Sequence, residues 1–153
     1  MPTRIESTID IDRPANDVYA FVTDSRNDPL WQTGVSSVVV QPSAPSASGT
    51  RITQRRRFLG VPFTLTWEVL EVSPGTQMTS RLLDGPFRGG GSYRFSATDT
   101  GCAVTLTMEG DLTAAAGFFG LGRRVFQSAA RREIVSYLAR LKQVLETVPT
   151  PSA

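Results

Sequence analysis

The segment from Arg123 to Thr147 constrains this chain more than any other. Its apolar positions Phe126, Ala130, Ile134, Tyr137, Leu141, Leu145 and Val148 step by threes and fours, and Pro149 ends the run. That spacing predicts one apolar stripe along a helix of roughly 25 residues, about 37 Å long at 1.5 Å per residue. Most of the chain before it follows a period of two instead. A helix with one apolar stripe must be covered, and the alternating segments upstream are available to cover it.

Thr3 to Ile11 alternates, with Ile5, Ser7, Ile9 and Ile11 on one face and Arg4, Glu6, Thr8 and Asp10 on the other. This is the pattern of a half-buried strand. Pro14 suits a first helical turn with Asp12 as a cap just before it, and Val18, Tyr19, Phe21 and Val22 make a short apolar stripe. The chain breaks at Asp28-Pro29 and resumes as a second short helix ending near Gly34. Val35 to Val40 reads as a strand, and a polar loop follows it. Five further strands are expected, at about 50–58, 63–72, 77–83, 92–97 and 102–110, separated by the turn signals LGVP, SPGT, DGPFRGGG and TDTG. The order is β-α-α-β-β-β-β-β-β-α, an α+β fold with a seven-stranded antiparallel sheet. One helix against so long a curved sheet leaves space between them, and that space is the functional lead.

Composition decides what chemistry the space can host. The chain of 153 residues suits one domain over 1–148, with 149–153 as a disordered tail. It contains no histidine, which excludes Ser-His-Asp and Cys-His nucleophile systems and histidine-ligated zinc or iron. Cys102 is the one cysteine, so neither an intrachain disulfide nor a thiolate cluster can form. No metal and no cofactor are expected. The start of the chain has no signal-peptide core and no run approaches membrane-spanning length, so a cytoplasmic location is expected.

Several stretches, in this order, resemble the START-like (SRPBCC) superfamily, in its bacterial polyketide cyclase/dehydrase branch. They are IDIDRPANDVYAFVTDSRNDPLWQTGV, GVPFTLTWEVLEVSPG, VTLTMEGDL and RREIVSYLARLKQVLE, which together span about Ile5 to Glu146. The resemblance implies a helix-grip fold, a sheet wrapped around a long C-terminal helix with a deep apolar cavity between. It implies binding of small hydrophobic ligands such as lipids or polyketides, and it places Trp31 near the cavity entrance. It supplies no shared catalytic motif. The iron-binding oxygenase relatives use histidine ligands, which this chain lacks.

Alternation indicates which side chains face that cavity. In the strand from Phe63, the inward set is Phe63, Leu65, Trp67 and Val69. A four-residue loop sets Arg56 opposite Leu65 and Gln54 opposite Trp67, and a two-residue loop keeps the same parity. Ile52, Gln54, Arg56 and Phe58 therefore point inward, and Arg51, Arg55 and Arg57 point to solvent. Ser7, Met78, Ser80, Leu82, Tyr93, Phe95, Ala97, Val104, Leu106 and Met108 complete the inner face. No acidic residue shares it. Arg56 is either a ligand anchor or a side chain that snorkels to the cavity mouth.

The candidate ligand-binding residues are thus Trp31, Gln54, Arg56, Phe63, Trp67, Ser80, Tyr93, Phe95 and Phe118. Gly89-Gly90-Gly91 lacks the context of a phosphate loop and reads as a bend in a curved strand. AAAGFFGLG reads either as a lid or membrane-touching loop, with Phe118, Phe119 and Leu121 as tips, or as a tight apolar turn beneath the last helix. A nucleic-acid role is not expected, because the net charge is only +2 and the aromatics fall on buried faces. The expected function is binding of a hydrophobic small molecule with an acidic or carbonyl end, as carrier or sensor. The alternative is a cyclase, aromatase or dehydratase in which Arg56 stabilises enolate charge and Tyr93 shuttles a proton.

Overall fold

The structure, a computed structural model, describes residues 3–41 and 47–147. The expected disordered tail, together with Val148, lies outside them. Strand β1 (Thr3–Ile11) is followed by helix α1 (Ala15–Thr23), a short 3-10 turn (Ser25–Asn27) and the single-turn helix α2 (Asp28–Trp31). Six strands follow: β2 (Val35–Gln41), β3 (Arg51–Phe58), β4 (Val61–Ser73), β5 (Gln77–Asp84), β6 (Gly89–Ala97) and β7 (Cys102–Gly110). Helix α3 (Leu112–Phe118) then leads into the long helix α4 (Arg123–Thr147).

The seven strands form one sheet in the order β1-β7-β6-β5-β4-β3-β2, and every neighbouring pair is antiparallel. The sheet curves around α4 in the helix-grip arrangement. α4 buries Phe126, Ile134, Tyr137, Leu138, Leu141 and Leu145; Leu138 joins the stripe expected from spacing, and Ala130 is only half-buried. Polar contacts, among them Arg13 Nη1 to the Leu145 carbonyl at 2.8 Å, fix its C-terminal end to the start of the fold. Lys142 Nζ donates to the Asp10 carbonyl at 2.9 Å, and the Asp12 backbone N–H donates to Glu146 Oε2 at 2.9 Å. Asp12 does not cap α1: the N-cap position is Pro14, no side chain caps the helix, and the Pro14 carbonyl accepts from Asp17 and Val18.

The β3–β4 hairpin turns through two residues, Leu59 and Gly60, not four. Their φ values of 53° and 80° are the left-handed pair that a two-residue hairpin requires. Register moves by two: Arg56 pairs with Phe63, Gln54 with Leu65, and Ile52 with Trp67. An even shift leaves parity unchanged, so Ile52 and Gln54 are buried while Arg51, Arg55 and Arg57 are exposed. In β4 a bulge at Leu70 leaves both Leu70 and Glu71 exposed and ends the inward odd-numbered run at Val69. Ala97, expected inward, is exposed at the end of β6.

The AAAGFFGLG stretch forms α3 and the turn after it, a helix that spacing alone did not suggest. Asp111 starts it by accepting hydrogen bonds from the backbone N–H groups of Thr113 and Ala114 at 3.0 and 3.1 Å.

Candidate functional site

The curved sheet and α4 diverge enough to leave a cavity of about 160 Å³. Ile52, Leu65, Trp67, Met78, Leu82, Leu106 and Met108 line it from the sheet, and Phe126, Ala130 and Ile134 line it from α4. Ala130 supplies only a methyl group where neighbouring turns carry larger side chains, which leaves room for the space. An engineered apolar cavity of ~150 Å³ holds benzene, so this volume corresponds to roughly one ring.

The two ends differ. One is closed by phenylalanines: Phe119 meets Phe58, Phe63 and Phe126 with centroids 5.1, 5.3 and 5.6 Å apart. Gly89, Gly90 and Gly91 open β6 nearby and hold it close to its neighbours. A Cβ on Gly90 would stand 2.8 Å from the Ser80 carbonyl oxygen, and one on Gly89 would run into that of Glu109.

The other end is polar and is organised by Gln54. Its Oε1 accepts from Arg56 Nη1 at 2.8 Å and from Trp67 Nε1 at 3.1 Å. Both partners can only donate, which fixes the amide orientation and turns Nε2 toward Asp28 Oδ2 at 2.7 Å. Arg56 also donates from Nη1 to Gln32 Oε1 and from Nη2 to the Tyr137 hydroxyl, each at 3.2 Å. Its guanidinium carbon lies 5.7 Å from the Tyr137 ring centroid. Gln32 Nε2 donates to the Tyr93 hydroxyl at 3.2 Å.

Asp28 is only 2% exposed, and its Oδ1 has no hydrogen-bond partner among the described residues. Burial pushes its carboxyl up to about 7, against the opposing effects of the Gln54 hydrogen bond and the Arg56 charge. Burial also pushes the Tyr93 and Tyr137 phenols up, so both stay neutral hydroxyls.

Six of the nine candidate residues line the cavity: Gln54, Arg56, Phe63, Trp67, Ser80 and Tyr93. Three do not. Trp31, expected at the entrance, is fully buried in the cluster that holds Val22, Leu138 and Leu141, with its ring 6.0 Å from Tyr93. Phe95 lies toward the far end of β6, edge-on to Tyr19 at 5.3 Å. Phe118 stands outside, 43% exposed, while Phe119 turns inward in its place. Leu121 is also half-buried, so Phe118 alone of the three expected membrane-contact tips faces outward.

Asp28, Gln32, Glu133 and Tyr137 line the cavity without having been singled out for it. Asp28 corrects the expectation that Arg56 has no acidic neighbour: the carboxyl arrives from a helix, not from the strand face. The four-residue spacing of Glu133 with Tyr137 was the available signal on α4, since it puts both side chains on one helix face. Asp28 and Gln32 had none, because α2 ends at Trp31.

Gly34 makes room for this network. A Cβ there would sit 2.7 Å from the Tyr137 hydroxyl oxygen and 2.8 Å from the Arg57 carbonyl oxygen. The Arg57 carbonyl is backbone and cannot swing away. Gly34→Ala should therefore cost about 1–3 kcal/mol by overpacking, read as a lower urea midpoint. An unchanged midpoint would mean that β2 shifts freely at this point.

A curved antiparallel sheet gripping a long helix over a cavity defines a START-like protein. The chain belongs to the family described as polyketide cyclase / dehydrase and lipid transport, whose sequence pattern matches residues 2–146. Solved structures share the fold. The Zhui aromatase/cyclase from Streptomyces sp. R1128 superposes with a TM-score of 0.76 at 16% identity, covering 95% of this chain and 94% of that one. A START superfamily protein from Mycobacterium smegmatis gives 0.78 at 11% identity over 95% and 99%. A protein from Thermus thermophilus gives 0.74 at 21% identity over 97% and 100%. At these identities the likeness shows the fold alone. No curated protein sequence matches the chain.

Proposed function

We propose that this protein binds a hydrophobic small molecule about one ring wide, as carrier or sensor, and holds its polar end as a hydrogen-bond acceptor. Unspent donors at the polar end carry this reading. A guanidinium has five N–H groups. Arg56 donates two from Nη1 and one from Nη2, so its Nε–H and one Nη2–H have no partner among the described residues. The Tyr93 hydroxyl accepts from Gln32, and no acceptor for its own proton lies among the described residues. A carbonyl or carboxylate oxygen would satisfy these donors, while the apolar wall takes the ring.

Benzoate and acetophenone, one anionic and one neutral, are suitable probes of similar shape. Arg56→Ala should weaken benzoate binding by about tenfold or more in an NMR titration, since a hydrogen bond to a charged group contributes roughly 1.5–3 kcal/mol. Acetophenone should lose less. Arg55→Ala, on the exposed face of the same strand, should change neither. Equal losses from the two substitutions would rule out Arg56 as the anchor.

The second reading is a cyclase-type enzyme, and Asp28 favours it. A buried carboxyl that titrates near neutrality beside the cavity is suited to accept and return a proton. Tyr93 is less suited to that role, because burial holds its phenol neutral. Loss of turnover with binding intact in Asp28→Asn would favour this reading over a carrier.

A further inference from the structure

We propose that Asp28 sets the charge of the ligand that Arg56 accepts: a neutral carbonyl compound binds beside ionised Asp28, whereas a carboxylate binds only as Asp28 takes up a proton. The inference rests on the cavity-binding reading and deepens it. Asp28 and Arg56 are joined through one side chain, with Gln54 2.7 Å from the carboxylate and 2.8 Å from the guanidinium.

The charge balance at this end of the cavity is tight. Asp28 lines this cavity together with Gln54 and Arg56 from β3, Gln32 just past the end of α2, Tyr93 from β6, and Glu133 and Tyr137 from α4. The Asp24 carboxylate adds a like charge from the turn before α2. Among these groups Arg56 is the one cation. When Asp28 is ionised, that guanidinium already offsets one buried negative charge. A ligand carboxylate brings a second into a site of low effective dielectric, where two anions sharing one cation repel strongly. A neutral carbonyl brings none.

The geometry also says where the proton goes. Oδ2 accepts the Gln54 N–H, so it is occupied by a donor. Oδ1 has no partner among the described residues and takes the proton from solvent, leaving a neutral acid beside the Arg56–carboxylate pair. No bond other than O–H forms. Because burial pushes the Asp28 carboxyl up to about 7, this uptake falls within the neutral range.

The test is calorimetric titration of the full chain with benzoate and with acetophenone between about pH 6.5 and 8.5, in phosphate and in Tris. These buffers differ in ionisation enthalpy, so the difference in heat counts protons. Benzoate should take up close to one proton per site at pH 8, and its affinity should fall about tenfold for each pH unit above 7. Acetophenone should take up none and bind equally across the range. Asp28→Asn should bind benzoate with no proton uptake and no pH dependence. Wild-type binding of benzoate without proton uptake overturns this proposal while leaving the cavity reading intact. Absence of binding by both probes overturns the cavity reading, and this proposal with it. The wild-type measurement is decisive even if the variant does not fold.

Discussion

Leu141→Ala should lower the unfolding free energy by about 2–5 kcal/mol, read as a reduced urea midpoint with an unchanged slope. Leu141 is fully buried on α4, in the cluster that joins Ile5 and Ile11 of β1, Val18 and Val22 of α1, and Trp31 of α2. It therefore belongs to a core drawn from several elements, and three missing carbons leave a void there. The site can collapse only by moving α4, and the contacts of Lys142 and Glu146 with the β1–α1 segment hold that end in place. The loss should accordingly fall in the upper half of the range. Val135 on the same helix is 50% exposed, and Val135→Ala should cost under about 0.5 kcal/mol. If the two substitutions cost the same, α4 does not grip the sheet as described.

Contrasts of this kind are legible in the sequence, because periodicity reports burial directly. The stripe on α4 and the parity of β3 to β5 follow from the 3.6- and 2-residue repeats, which many residues specify together. Parity survived an error in loop length because the error was even. LGVP reads as a four-residue turn, yet Pro62 is accommodated in β4 opposite Arg57. Other features depend on single residues and resisted reading. α3 is seven residues long and interrupted by Gly117 before its last residue, so it has too little length for a periodic signal. Trp31 and Asp28 sit on a helix of one turn, where sequence fixes neither its rotation nor its direction of approach. Packing against α4 decides that Trp31 goes into the core and Asp28 onto the cavity wall. The polar end of the site is built by that choice, so its central carboxyl was invisible to a strand-by-strand argument.

That carboxyl should leave a signature in stability that needs no ligand. Asp28 sits at about 7 in the folded protein against a reference of 3.8, so between those values the folded state binds more protons than the unfolded state. Stability from this group is therefore fully present below about 4 and is lost as pH rises through 7, by roughly 4 kcal/mol in all. About three-fifths of the fall should lie between pH 5 and 8. Glu6, Asp24 and Glu146 act in the opposite sense, because hydrogen bonds to Thr107, Arg26 and Lys142 lower their carboxyls. Their stabilisation is lost only in acid, below the ordinary carboxylate range. The informative quantity is thus the difference between wild type and Asp28→Asn, in which Glu6 and Glu146 cancel and only the coupling of Asp24 to Asp28 is left over. An asparagine still accepts the Gln54 N–H but places an NH₂ where Oδ1 has no partner, so near pH 5 the variant should be the less stable protein by about 1 kcal/mol. By pH 8 the wild type carries a buried charge that asparagine lacks, and the order should reverse. Urea unfolding of both proteins across this interval should show the two stability curves crossing. Parallel curves would mean that Asp28 ionises without penalty, and the polar end of the cavity would then be open to water.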